Sequence, residues 1–118
     1  MTTTETIDQA PASMGCCGGV SPGMSAADAE DLSAAIGLLA HPVRVQILDM
    51  LSHSASDVCV CDLEAALPVK QPTVSHHLRL LREAGLIDCE RRGHWAYYFV
   101  QRAAVAALYA RITAFLSQ

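Results

Sequence analysis

Apolar residues recur along this chain with two periods, and the change from one to the other falls at Gly85. Before it the spacing is helical. Leu32, Ala35, Ile36 and Leu39 stand at i, i+3, i+4 and i+7, one face of a 3.6-residue turn. Ser25 precedes them as an N-cap, and Asp28 lies where a carboxylate suits the positive end of a helix. Pro42 restarts the chain, since proline is favoured in a first helical turn, and Val43, Ile47, Met50 and Leu51 form the next stripe. Ser52 to Asp57 is polar and reads as a loop. Val58-Cys59-Val60-Cys61 is β-prone, and Asp62 is placed to cap a short helix through Leu67, which Pro68 ends. A fourth helix, from about Gln71 to Ala84, carries Val74, Leu78 and Leu81 on one side, and Gly85 stops it.

After Gly85 the period is two. Leu86–Glu90 and Trp95–Val100 are expected strands, with Arg91-Arg92-Gly93-His94 as the tip between them. A last helix carries Val105, Leu108, Tyr109, Ile112, Phe115 and Leu116 on one stripe, apolar enough to call for cover from a partner subunit. Two helices joined at Pro68-Val69-Lys70 and followed by a basic hairpin make a helix-turn-helix with a wing. The predicted fold is mainly α with a small β-hairpin: a winged helix-turn-helix, dimeric. Residues 1–25 are rich in Thr, Ser, Ala, Gly and Pro without an apolar period and read as a mobile N-terminal arm. Residues 26–118 are expected to form the winged helix-turn-helix domain, for DNA binding and dimerisation.

Charge sharpens this picture. The chain of 118 residues has a formal net charge of -4, which by itself argues against a nucleic-acid partner. Its distribution argues the other way. Residues 1–69 hold nine acids and a single Arg, whereas residues 70–102 hold Lys70, Arg79, Arg82, Arg91, Arg92 and Arg102 against Glu83, Asp88 and Glu90. One base-rich window suits a protein that meets phosphates with one face. The start of the fourth helix is also polar in a specific way. Gln pairs bidentately with adenine, Thr and Ser reach bases or phosphates, and His76 and His77 offer ring nitrogens. Recognition helices present their N-terminal residues to the major groove. The expected DNA contacts are therefore Lys70, Gln71, Thr73, Ser75, His76, His77 and Arg79 on the helix, and Arg91, Arg92 and His94 on the wing.

Five cysteines are many for so short a chain. No apolar run approaches the ~18 residues of a membrane span, and no leader pattern opens the sequence, so the reading is cytoplasmic, where thiols stay reduced. The odd count, grouped as Cys16-Cys17, Cys59-x-Cys61 and a lone Cys89, fits soft-ion or redox chemistry better than a disulfide framework. In an extended backbone Cys59 and Cys61 would share one face. Cys16 and Cys17, flanked by glycines, would complete a thiolate shell. Three thiolates suit As(III) or Sb(III), and four suit Cd(II), Pb(II) or Zn(II). A dithiol redox or persulfide switch is a further reading of the same sulfurs. Cys89 reads as a packing residue. No enzyme is expected: a small thiol oxidoreductase would want a Cys-x-x-Cys helix start, which is missing.

These residues resemble the ArsR/SmtB family of metalloregulatory repressors over about residues 27–117. Ala40-His41-Pro42-Val43-Arg44 is similar to the start of the family's second helix, and Val58-Cys59-Val60-Cys61-Asp62-Leu63 to the cysteine box of its arsenic and cadmium sensors. Gln71 to Leu81 with Glu83-Ala84-Gly85-Leu86-Ile87 is similar to the recognition helix and its exit, and Arg91 to Tyr98 to the wing. The resemblance implies a homodimer joined through the first and last helices. It further implies that the ion-free form binds double-stranded operator DNA and that capture of As(III) or Sb(III), or of Cd(II), Pb(II) or Zn(II), releases it. Gln71, Thr73, Ser75, His76 and His77 are then the expected contacts, and Cys59 and Cys61 the expected ligands. This chain departs from the family in three places. Glu64 stands where single-helix arsenic sites have a third cysteine, so the Cys16-Cys17 pair is the implied source of the missing sulfur. The last helix has no His, Asp or Glu for the family's zinc site. Lys70 stands where Ser often caps the recognition helix.

Overall fold

The structure, a computed structural model, describes residues 19–118; Cys16 and Cys17 lie outside them. Helix α1 (Ala26–Leu38) begins as expected at Ser25, whose hydroxyl accepts from the Asp28 amide at 3.1 Å. Helix α2 (Pro42–His53) begins at His41, whose Nδ1 accepts from the Val43 amide at 3.2 Å. The chain turns by 76° between the two helices. Strand β1 (Val58–Cys59) runs straight into α3 (Val60–Ala66), and α4 spans Gln71–Glu83. The wing is β2 (Ile87–Arg92) with β3 (Trp95–Val100), and α5 (Arg102–Leu116) closes the fold. Among the described residues no single helix is long and apolar enough to cross a membrane.

The order of elements matches the periodicity, and three details differ from expectation. First, α3 starts at Val60 with Cys59 in its N-cap position, three residues before the expected cap Asp62, and no side chain caps it. Second, Arg91 and Arg92 are ladder residues of β2, paired with Ala96 and Trp95. That leaves a two-residue tip, Gly93-His94, in which only Gly93 has a positive φ, +66°. A lone positive φ at the first central position marks a type II′ turn, whose twist matches that of the flanking strands. Third, the hairpin is part of a three-stranded antiparallel sheet in the order β1-β3-β2, with Val58 opposite Tyr98 and Cys59 opposite Tyr97.

The core lies where α2, α3, α4 and the sheet meet. Ile47, Leu63, Val74, Leu78, Leu81 and Ile87 are fully buried there. Gly85 ends α4 with φ +81°, a conformation that costs an L-residue roughly 1–2 kcal/mol, and so turns the chain into β2. The outer helices behave differently. Of the expected α1 stripe only Leu32 is buried, and α5 buries nothing fully. Ile36, Tyr109, Phe115 and Leu116 remain exposed.

Candidate nucleic-acid interface and thiol pair

Helix α4 has two faces. Val74, His77, Leu78 and Leu81 point into the core, while Gln71, Thr73, Ser75, His76 and Arg79 are exposed. Gln71, Ser75 and Arg79 stand four residues apart and so line one outward row. Arg79 donates to His76 Nδ1 at 3.0 Å and lies 3.8 Å from Glu83. Lys70 sits at the N-cap without capping through its side chain, exposed beside the row. The Gln71 amide donates to Glu64 Oε1 at 2.8 Å, so the carboxylate at the position of the missing third cysteine ties α3 to the first turn of α4. A groove between α4 and the sheet is lined by Ser75, Arg79, Arg82, Glu83 and Tyr98.

His77 departs from expectation. It is 4% exposed and cannot present itself to a groove. Its ring lies 4.2 Å from that of His41, and its Nδ1 accepts from Arg44 Nε at 3.1 Å. Arg44 also donates to the Leu38 carbonyl at 3.1 Å. Burial, and then the neighbouring His41, Arg44 and His76, disfavour a charge on His77 and lower its pKa. It is a neutral acceptor locking α4 onto α2. The sequence held a signal for this, because position 77 is i+3 from Val74 and i-4 from Leu81, on the buried stripe.

On the wing, His94 is at the exposed tip, and Arg91 is exposed on β2. Arg92 is exposed too, but its guanidinium is occupied. It meets Asp57 Oδ2 at 2.5 Å and Glu90 Oε1 at 2.8 Å, and lies 4.6 Å from the centroid of the Tyr97 ring. Arg92 is thus at the surface of the wing but already paired within its own chain.

The thiols of Cys59 and Cys61 meet, though not as expected. Cys59 is in the strand and Cys61 in the first turn of α3, so the pair straddles a strand-to-helix joint instead of sharing an extended face. Their Sγ atoms are 2.7 Å apart. The hydrogen bond that the Cys61 thiol donates to Cys59, with desolvation and the charges of Cys59 and Asp62, raises the Cys61 pKa. Two neighbouring sulfurs can serve one soft ion together, which takes the place of both thiol protons and offsets the two thiolate charges. Among the described residues no group of three or more His, Cys, Asp or Glu side chains converges on an ion position. Cys89 is half-buried in β2 across from Tyr98. Burial, followed by the charge of Cys89 and a hydrogen bond with it, raises the Tyr98 pKa.

Comparison with known proteins agrees with this geometry. Residues 41–88 match the model of the bacterial regulatory protein, arsR family, a span running from the His41 cap to β2. An arsenical resistance operon repressor of Escherichia coli is 44% identical over 61 residues, covering 52% of this chain and 51% of that protein. The chain thus spans about half the length of that relative. The SmtB homolog of Synechocystis, a transcriptional repressor, is 34% identical over 95 residues, 80% of this chain and 70% of its own. The solution structure of a homodimeric winged helix-turn-helix DNA-binding domain from Mycobacterium bovis superposes with a TM-score of 0.58 at 31% identity, covering 80% of this chain and 89% of that one. A matched core, a winged helix-turn-helix and a cysteine pair at its joint lead to one conclusion: the chain belongs to the arsR family of bacterial regulatory proteins.

Proposed function

We propose that the chain is a homodimeric repressor that binds double-stranded operator DNA and leaves it when Cys59 and Cys61 capture a thiophilic ion, with As(III) or Sb(III) the first choice. The observation that carries this reading is the side-by-side placement of the two thiols at the joint of sheet and α3. That joint adjoins both DNA-facing parts. β1 is hydrogen-bonded to the wing strand β3, and α3 is tied to α4 through Glu64 and Gln71. On the DNA side, Gln71, Thr73, Ser75 and His76 meet bases or phosphates, and Lys70, Arg79, Arg91 and His94 neutralise the backbone. The exposed Ile36, Tyr109, Phe115 and Leu116 of α1 and α5 seat the second subunit, an assembly supported by the homodimeric Mycobacterium bovis domain.

Two thiolates alone do not satisfy As(III), and Glu64 cannot serve as the third sulfur. Cys16 or Cys17 supplies it in this proposal, from the same subunit or from the other. The ion contributes strong metal–sulfur bonds. The chain contributes the paired thiols, which give up their protons on capture. Release requires tighter ion binding by the DNA-free form, a coupling of typically ~1–3 kcal/mol in such systems. The test is a gel shift on the promoter upstream of the chain's own gene. Cys59→Ser and Cys61→Ser should still shift the fragment and no longer release it with arsenite. If both variants dissociate like the parent protein, the ion is held elsewhere and the proposal fails. Parallel titration with Cd(II), with sulfur neighbours counted by X-ray absorption, distinguishes a three-thiolate arsenic site from a four-thiolate cadmium, lead or zinc site.

A further inference from the structure

The wing carries two adjacent arginines in different circumstances. Among the described residues Arg91 pairs with no carboxylate, whereas Arg92 is held by two carboxylates and an aromatic face. Glu90, on the same face of β2 two residues before, supplies one oxygen at 2.8 Å. Asp57 supplies the other at 2.5 Å, from a position 35 residues earlier in the chain. Asp57 directly precedes Val58 and Cys59, whose strand lies along β3. A guanidinium meeting two carboxylate oxygens is bound much as a phosphodiester would bind it, because both ligands offer anionic oxygens to the same planar fork.

We infer that Asp57 and Glu90 act as an internal substitute for DNA phosphate, so that Arg92 is shared between its own chain and the duplex backbone. In the docked position the wing keeps its cation turned toward the thiol strand. On DNA, a phosphate displaces the carboxylates and Arg92 adds one backbone contact. Asp57 and Glu90 are positioning residues that set how readily the wing engages, and Asp57 places that control one residue from the strand that holds Cys59. The pairing sets the strength of phosphate engagement and carries no base preference, since phosphate contacts read no sequence. This inference rests on the DNA-binding reading above.

A thermodynamic cycle tests it. Full-length protein, Asp57→Asn/Glu90→Gln, Arg92→Gln and the triple variant are titrated by fluorescence anisotropy into two duplexes. One is the chain's own promoter fragment and the other a shuffled sequence of equal length, each over a range of salt. The double variant should bind both duplexes roughly fivefold more tightly, the scale of one exposed ion pair removed from competition. Arg92→Gln should weaken binding to both and flatten the dependence of log K on log salt by about one counterion. In the triple variant the gain from losing the carboxylates should vanish. If the gain persists without Arg92, the carboxylates act by general repulsion of DNA and the inference is overturned. If the parent protein binds neither duplex at any salt, the DNA-binding reading falls and takes this inference with it.

Discussion

The reading head, built of α2, α3, α4 and the sheet, and the outer pair, α1 and α5, are both rich in apolar residues, yet they spend them differently. The head buries Ile47, Leu63, Val74, Leu78, Leu81 and Ile87 completely. The outer pair buries only Leu32, at 8% exposure, and leaves Tyr109 71% and Leu116 73% exposed. Apolar content alone therefore does not locate a core. What decides is whether the topology brings a second layer over the stripe. In the head, α4 crosses α2 and the sheet closes the far side. The outer helices cover each other on one flank, and their remaining apolar flank stays exposed among the described residues.

Three measurements sharpen or break this contrast. The largest effect should come from Leu63→Ala, which removes a wholly buried side chain at the meeting point of α3, α4 and the sheet. A loss of about 2–5 kcal/mol in denaturant unfolding is expected, and a loss under 1 kcal/mol would show that the head is not the self-sufficient unit described. A smaller, pH-graded loss should come from His77. Its folded pKa is lowered, so the unfolded chain binds the proton more readily. Stability should therefore be full above the ordinary histidine value of about 6.5 and decline as pH falls from there through the folded pKa. His77→Gln should flatten that decline in urea midpoints between pH 7 and 5. An unchanged slope would remove the buried His77 as its cause. The smallest effect on the fold should come from Tyr109→Ser with Leu116→Ser. At low protein concentration the unfolding free energy should stay within about 0.5 kcal/mol of the parent. Sedimentation equilibrium should show weakened self-association instead. A large loss in the monomer would mean that the outer pair is a core after all.

Much of the fold was legible because the first four helices carry their own punctuation. Ser25, Pro42, Pro68 and Gly85 mark boundaries by local chemistry, and the switch to period two at Leu86 needs no distant partner to be seen. What could not be read is non-local. Nothing near Val58-Cys59 says that this strand will lie along Tyr97-Tyr98, and nothing near Arg92 names Asp57 as its partner. The cysteines were found by type and spacing, but their geometry was not. A β-prone run turned helical after only two residues, and the short helix that follows buries Leu63 in the core. His77 was misjudged for a different reason. A polar ring among polar neighbours hid its place on the buried stripe, where Arg44 and His41 satisfy it.

The brevity of β1 has its own consequence. Two residue pairs fasten it to β3, whereas six join β2 to β3. So slight a fastening lies near the low end of the local opening energies within a fold, and the hairpin keeps its own ladder if β1 peels away. A change at the Cys59 sulfur would therefore have few ladder hydrogen bonds to break. The segment works as a clasp that opens without unravelling the garment, and amide exchange at Val58 and Cys59 should run ahead of exchange in the hairpin.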